Sequence, residues 1–504
     1  MTVLPVLFCA ALGMLVTWVA IPVIRTRLHF LKRGDLAQFH HGHGAPVSRL
    51  GGLALVLSFM IVSLIAFFLL PNEGVDNHFR WIIFFCSLAM FLLGFSDDLH
   101  PLGAKRKLAG QILIASIASY CGIQVQSVTN PFNHTLYHLG FLGPFLTILW
   151  LVALTNLINL IDGIDGLAGG VALMLMGLLC YFGFGSNMAF SSLCAAGMVG
   201  ALIGFLRFNF PPAKIYMGDG GAYFLGFLIA SLATVNSHKG TVMTALIAPV
   251  FVLALPITDV TIAILRRGLK GLPLFRADRK HIHHRLIDYG FSRTRAVLTL
   301  YFICLVFLLL ALFVFWLGGR WVPALFGVGC AILLISARSF SFSREWFSVG
   351  RMLGNSLEAR KTTQYALTLS RWLEMEADRC DSVESLWSDF KFMAKKLGFS
   401  RIKLVLEDGE KEWKMQNLFH PAASVHYRQV KLVVDRPMVL EFAADSEVMS
   451  HGLFDHLCDL TSEAWHKAAL RWCAINRLPI RFNSRTMPQV LPLHKQRIYV
   501  SQAS

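Results

Sequence analysis

Charge is scarce in this chain: Asp, Glu, Lys and Arg make up only 15% of its 504 residues, against 55% hydrophobic residues. With a mean hydropathy of +0.57, that balance excludes an ordinary soluble globular protein and points to a polytopic membrane protein. The ten cysteines contain no C-x-x-C pair. Cys9, Cys86, Cys121, Cys180, Cys194, Cys304 and Cys330 lie in apolar runs, where a thiol behaves as a small hydrophobe. Neither a disulfide framework nor a zinc site is indicated. The start lacks the basic stretch and small-residue cleavage site of a secretory signal, and Arg25 and Arg27 follow the first apolar run instead of preceding it. Residues 1–24 are therefore expected to be a retained span with its N-terminus outside. Lys and Arg are also nearly missing from every second connecting loop. The net charge of +16 would suit nucleic acid, but its alternation between loops is explained by membrane topology, so no nucleic-acid partner is expected.

Runs long enough to cross roughly 30 Å of hydrocarbon number about eleven. They fall at 3–24, 50–70, 79–96, 108–125, 139–161, 167–184, 190–208, 221–235, 242–265, 297–317 and 321–337. The expected fold is thus an all-α polytopic membrane protein. Alternation from an outside N-terminus puts Arg25, Arg27, Lys32, Arg33, Arg49, Lys105, Arg106, Lys107, Arg207, Lys214 and the basic stretch 266–295 inside. Only Arg80, Lys239 and Arg320 fall outside, which is the positive-inside pattern. After residue 337 the hydropathy collapses, and three parts are expected. These are a membrane domain (1–338), a small soluble α+β domain on the cytoplasmic side (339–478) and a basic tail (479–504). In the soluble part, 357–397 and 453–474 read as helices, and 401–407, 430–434 and 438–443 as strands, with Asp408-Gly409 as a turn. That order resembles a shortened GAF-type sensor domain, which implies a ligand or partner of unknown kind.

Four polar residues interrupt the apolar pattern at one spacing: Asn156, Asn159, Asp162 and Asp165 are each three apart and would form one stripe on a helix. Such a stripe is either a helix-packing seam closed by Asp-Gly turns or a functional site, since ionisable groups at membrane depth are costly. Asp97-Asp98 ends the third span, as a solvated helix end or as a pair serving two directions. Met217-Gly218-Asp219-Gly220-Gly221 sits between two spans, with Asn209 in the same inner loop. It is either a turn or a place where backbone and ligand approach closely and an oxygen ligand suits Mg²⁺. Residues 277–286 gather Arg279, His281, His283, His284 and Arg285. A phosphate- or sugar-gripping cluster fits them better than a metal site, because no Cys or Glu completes a zinc set. His43, Pro46, Arg49, Gly51 and Gly52 form a Gly-rich basic loop that alone would be an ordinary inside loop.

Together and in this order, the five segments resemble the polyprenyl-phosphate N-acetylhexosamine-1-phosphate transferases, over about residues 4–337. The shared features are the Asp97-Asp98 pair, the N-x-x-N-x-x-D-G-x-D-G-L-A segment 156–168, the G-D-x-G-like turn at Asp219 and the His-containing inner loop. The form A-D-R-x-H-I-H-H-x-L is similar to the N-acetylglucosamine branch of the family. The resemblance implies Asp219 as a Mg²⁺ ligand (Mn²⁺ the alternative ion), with Asn159 as second contact. It implies Asp162, Asp165 and Asn209 around the uridine end of a UDP-sugar, and Asn156 is a further substrate-binding candidate. Asp97 or Asp98 would deprotonate or orient a lipid phosphate, and the residues of 279–285 would cover the pyrophosphate and sugar. Ser48 and His40-His41 depart from the family's usual first inner loop, where His43 and Arg49 lie.

The implied reaction is phosphoryl transfer from a UDP-N-acetylhexosamine to undecaprenyl phosphate. The expected setting is the bacterial inner membrane, with active site and C-terminal domain facing the cytoplasm and a homo-oligomer left open. UDP-GlcNAc is the expected donor, with another UDP-N-acetylhexosamine or UDP-MurNAc-pentapeptide as alternatives. A cation-coupled transporter is the rival from another class, and it would place its acids near the midplane instead of at one end of the helices.

Overall fold

The computed structural model describes residues 2–27, 47–70, 75–129, 135–237, 249–254, 256–259, 261, 286, 290–316, 361–406, 409–415, 425–434, 436–446 and 449–482. The chain divides into two compact units, Met1–Leu265 with Phe275–Trp346, and Arg266–Leu274 with Phe347–Ser504.

The first unit is helical. Its described helices are α1 (Val3–Arg27), α2 (Gly51–Leu69), α3 (Val75–Leu99), α4 (Ala104–Tyr120), α5 (Leu142–Ile161), α6 (Leu167–Gly185), α7 (Ala189–Asn209), α8 (Gly218–Ser237) and α9 (Arg293–Trp316). A short antiparallel pair, β1 (Ser127–Thr129) and β2 (Leu136–His138), joins α4 to α5. Eight of these helices, all but α4, are long and apolar enough to cross a membrane. They coincide with eight of the expected runs. The run at 108–125 behaves differently: α4 has 17 residues, about 25 Å at 1.5 Å per residue, and it starts early enough to take in Lys105, Arg106 and Lys107. Gly122, at φ +114°, then turns the chain towards β1. The run at 321–337 lies outside the described residues, as does most of 242–265.

Helix α8 is the axis of this unit. It packs on α2, α3, α5 and α6, and its residues from Gly220 to Ser237 are all buried. Small residues permit that: a Cβ on Gly221 would meet Gly52, and one on Gly226 would meet the α5 backbone at Leu154 and Thr155. By contrast α1 turns Leu4, Leu7, Phe8, Leu15, Trp18 and Val19 outward, as a helix bordered by lipid does. One rule follows for the loops: the ends of α3, α5 and α7 and the starts of α2, α4, α6 and α8 belong to the same end of an up-and-down bundle.

In the second unit, helix α10 (361–376) precedes α11 (Val383–Lys396), whose N-cap Ser382 accepts a hydrogen bond from Ser385 N at 3.2 Å. The expected single helix 357–397 is therefore broken at 377–382 by this cap. Four antiparallel strands follow, β3 (Arg401–Leu406), β4 (Gly409–Lys414), β5 (Val425–Val433) and β6 (Pro437–Asp445), in the order β4-β3-β6-β5. Ile402, Leu404, Leu440 and Phe442 alternate inward, against a core that holds Phe390, Phe399, Phe454 and Trp465. The closing helix α12 (His451–Asn476) contributes the last two. Strand β4 offers the core a single apolar side chain, Trp413, too few for hydropathy to reveal a strand. Its acids instead pair across the sheet, Glu412 with Arg401 and Glu410 with Lys403. Residues 483–504 of the expected tail lie outside the described residues.

Candidate active site

The end of α3 meets the start of α8. Asp98 Oδ1 accepts from Asp219 N at 3.0 Å, and its Oδ2 accepts from Gly220 N at 2.8 Å. These are the N–H groups that a helix leaves unpaired in its first turn, where a negative charge is also favoured by the helix dipole. The approach needs glycine: a Cβ on Gly94 would strike the backbone of Asp219 and Gly220, and Gly218 sits at φ +77°.

Asp97 faces another way, as adjacent helical residues must. Its Oδ1 accepts from Leu102 N at 2.6 Å and its Oδ2 pairs with the Lys107 ammonium. Lys107 Nζ also reaches Asp219 Oδ2 at 3.0 Å. One ammonium therefore bridges the last turn of α3 and the first turn of α8. Desolvation acts to lower the Lys107 pKa, but the hydrogen bond to Asp97 and the charge of Asp219 outweigh it and raise it above the usual lysine range. One turn on, Gln111 shares that face of α4. It exchanges hydrogen bonds with Asn156 on α5: Asn156 Nδ2 donates to Gln111 Oε1 at 2.7 Å, and Gln111 Nε2 donates to Asn156 Oδ1 at 3.4 Å.

The expected four-residue helical stripe is corrected here. Helix α5 stops at Ile161 with Asp162 as its C-cap, and α6 begins at Leu167. Only Asn156 and Asn159 lie on a helix; Asp162 and Asp165 belong to the turn between two. The reason is Gly166, whose φ of +82° no continuing helix allows. Asp165 is only 4% exposed, and its Oδ2 accepts from Ala213 N at 3.1 Å. Asn209, 2% exposed at the end of α7, accepts from Gly166 N at 3.0 Å and donates to Ile215 O at 2.8 Å. These two side chains tie the 162–166 turn to the 210–217 loop through backbone groups. Asn159 and Asp162 are half-buried. Desolvation first, then the charges of Asp219 and Asp98, raise the Asp162 pKa well above the ordinary carboxylate range, with Arg49 opposing.

The segment before α2 is laced to the same loop. Tyr216 N donates to Ser48 O at 2.8 Å, and Gly51 N and Gly52 N donate to Tyr216 O and Met217 O at 2.9 Å each. A Cβ on Gly218 would strike the Arg49 carbonyl. Burial, then the nearby Asp165 charge, pushes the Tyr216 phenol up to about 12.

Asp97, Asp98, Asp219, Asp162, Asp165, Asn156, Asn209 and Arg49 are thus placed on elements that meet at one end of the bundle. His43, Arg279, His281, His283, His284 and Arg285 lie outside the described residues. Lys107 and Gln111 join the site unannounced by hydropathy, in which the run Lys105-Arg106-Lys107 looks like an ordinary inside loop. The signal was their spacing of four, which places an ammonium and an amide on one face. No cluster of three His, Cys, Asp or Glu gathers among the described residues. The fit to a magnesium ion rests instead on Asp97 and Asp219, whose oxygens already converge on a cationic atom. Mg²⁺ is commonly held by one or two carboxylates, with waters and substrate phosphates completing its shell.

Comparison with known proteins agrees with the motifs. Residues 80–237, from α3 to the end of α8, match the family Glycosyl transferase family 4. The chain is 30% identical over 266 residues to the "Probable undecaprenyl-phosphate N-acetylglucosaminyl 1-phosphate transferase" of Bacillus subtilis, covering 53% of this chain and 72% of that protein. It is 30% identical over 282 residues to the "Decaprenyl-phosphate N-acetylglucosaminephosphotransferase" of Mycobacterium tuberculosis, 51% of this chain and 70% of that one. It is also 30% identical over 325 residues to the "Phospho-N-acetylmuramoyl-pentapeptide-transferase" of Anoxybacillus flavithermus, 61% of this chain and 97% of that one. The matched region contains the Asp97–Lys107–Asp219 bridge and the 162–166 turn, and the chain belongs to glycosyl transferase family 4.

Proposed function

We propose that this chain transfers N-acetylhexosamine 1-phosphate, GlcNAc-1-phosphate above all, from a UDP-sugar to undecaprenyl phosphate and releases UMP. The observation that carries the reading is the convergence of Asp97, Lys107 and Asp219. It places a cation between two carboxylates at a helix N-terminus, an arrangement suited to a diphosphate and its metal. The names of the relatives support the polyprenyl-phosphate acceptor and the amino-sugar phosphate donor. The same chemistry with UDP-MurNAc-pentapeptide is the second reading, favoured by the longest of the three matches.

In this reaction an oxygen of the lipid phosphate attacks the sugar-bearing phosphorus of the donor. A new P–O–P bond forms, the bond to the nucleoside phosphate breaks, and UMP leaves with the electron pair. One anhydride replaces another, so the step is close to thermoneutral. Asp219, with Asp97 and the amide oxygen of Asn159, would hold Mg²⁺, or Mn²⁺ in its place, which supplies neutralisation of the charge on the diphosphate. Lys107 orients phosphate oxygens from the α4 side and balances the two acids when substrate is away. Asp98 keeps the start of α8 in place. The lipid phosphate is largely ionised near neutral pH, so Asp97 serves to orient it or take its last proton, and a strong base is not required. The nucleotide end lies against the 162–166 turn, near Asp162, and Arg279, His281, His283, His284 and Arg285 are the residues assigned to the pyrophosphate and sugar by chemistry alone.

The setting we infer is a bacterial inner membrane crossed about eleven times, with the N-terminus outside and the site and second unit on the cytoplasmic side. The second unit is read as a GAF-like sensor for a ligand or partner of unknown kind. The acids sit at helix ends and not at a midplane break, which speaks against the transporter reading. Purified protein assayed with undecaprenyl phosphate and a panel of UDP-sugars should release UMP fastest from UDP-GlcNAc. Silence with every donor in the presence of Mg²⁺ or Mn²⁺ would overturn the assignment.

A further inference from the structure

Tyr301, on α9, reaches across to the start of α6. Its hydroxyl donates to Gly166 O at 2.5 Å, a contact between residues 135 positions apart. Gly166 O also accepts from Gly170 N at 3.0 Å, and a carbonyl oxygen has two lone pairs to serve both. The ring lies in a notch left by Gly170, where a Cβ would strike Cζ, Oη and Cε1 of Tyr301. Gly166 is thereby gripped on both sides, its N–H by Asn209 and its C=O by Tyr301.

That grip matters because the turn it holds is short and contains two glycines, Gly163 and Gly166, with Asp162 at its entrance. Asn209 and Asp165 fix the turn from the 210–217 side only. Helix α9, which packs on α6, holds it from the other, and Tyr301 is the hydroxyl that does so. In sequence, the histidine-bearing stretch ends at Arg285, shortly before Arg293 opens α9.

We propose that Tyr301 is a positioning residue for the nucleotide sugar: by holding the Gly166 carbonyl it fixes the turn that carries Asp162, and it sets α9 in register with that turn. The inference rests on the function proposed above. Tyr301→Phe keeps the ring in its notch and removes only the hydroxyl. Losing one hydrogen bond of this kind should raise the KM for the UDP-sugar roughly 3- to 10-fold. The KM for the lipid phosphate and kcat should stay within about twofold, because the Asp97–Lys107–Asp219 bridge does not involve Tyr301. Gly170→Ala, which displaces the ring, should raise the same KM, and the double variant should be no worse than the poorer single one. Hydrogen exchange of the full-length protein in nanodiscs supplies a second readout: peptides spanning 160–172 should exchange faster in Tyr301→Phe, those of α2 and α7 unchanged.

An active wild type with an unchanged UDP-sugar KM in Tyr301→Phe would overturn the inference. So would a uniform loss of kcat with both KM values intact, which would mark packing alone. A wild type inert towards every UDP-sugar would instead refute the proposed function. The grip would then be judged by exchange, with unchanged protection of 160–172 overturning it and faster exchange supporting it.

Discussion

Asp97 and Asp98 are neighbours in sequence with divided duties: Asp98 caps α8 through the N–H groups of Asp219 and Gly220, while Asp97 points at Lys107. Removing the cap should therefore act first on stability. Asp98→Ala should cost about 1–2 kcal/mol, as lost N-caps do, and lower the midpoint of thermal unfolding in detergent. Asp97→Asn should keep a near-normal midpoint and slow turnover. Equal midpoints for the two variants would remove the distinction.

Lys107 balances two carboxylates at once. Lys107→Met keeps the length of the stem and leaves Asp97 and Asp219 facing each other without the ammonium. UMP release should fall by at least about tenfold, and higher Mg²⁺ should recover part of it, because a divalent ion can replace some of the missing charge. A variant with normal turnover would show that the bridge is incidental to chemistry.

Asp162 gives a prediction in pH. Its pKa in the fold is raised above the ordinary aspartate value by desolvation and by Asp219 and Asp98. A carboxyl raised in this way favours the fold while protonated. Its contribution is complete below the unfolded-state value and is lost as pH rises through the folded-state value. Asp162→Asn cannot ionise, so its thermal midpoint should rise relative to the wild type as pH increases above the ordinary aspartate range. A constant difference across that range would show that Asp162 does not titrate there.

Much of this arrangement was legible in the sequence, for identifiable reasons. Eight spans could be read because lipid imposes long apolar runs, and the site's location followed from alternation, which puts Asp97-Asp98, Asp162 and Asp219 at one end. The spacing of Asn156, Asn159, Asp162 and Asp165 misled, since a period of three fits both a helix and a helix that stops. Gly163 and Gly166 were the discriminating residues. Helix α4 ends at Tyr120, short of the expected end at 125, because Gly122 turns the chain towards β1. Strand β4 escaped because Trp413 is its one apolar side chain, while its acids pair with Arg401 and Lys403 across the sheet. Contacts such as Tyr301 with Gly166 follow from tertiary packing that no local pattern encodes.

Under the proposed function, Asp219 is the carboxylate on which transfer depends most. It sits in the first turn of α8, with its N–H held by Asp98 and its Oδ2 on Lys107. Asp219→Asn keeps size and shape but loses the charge that would hold Mg²⁺, a loss of the order of several kcal/mol of transition-state stabilisation and hence several decades in rate. The decisive measurement is UMP release from UDP-GlcNAc by purified Asp219→Asn at saturating Mg²⁺, alongside the wild type and Asp97→Asn. Asp219→Asn should be folded and show almost no release, with a milder loss in Asp97→Asn. Near-wild-type release by Asp219→Asn would contradict that dependence.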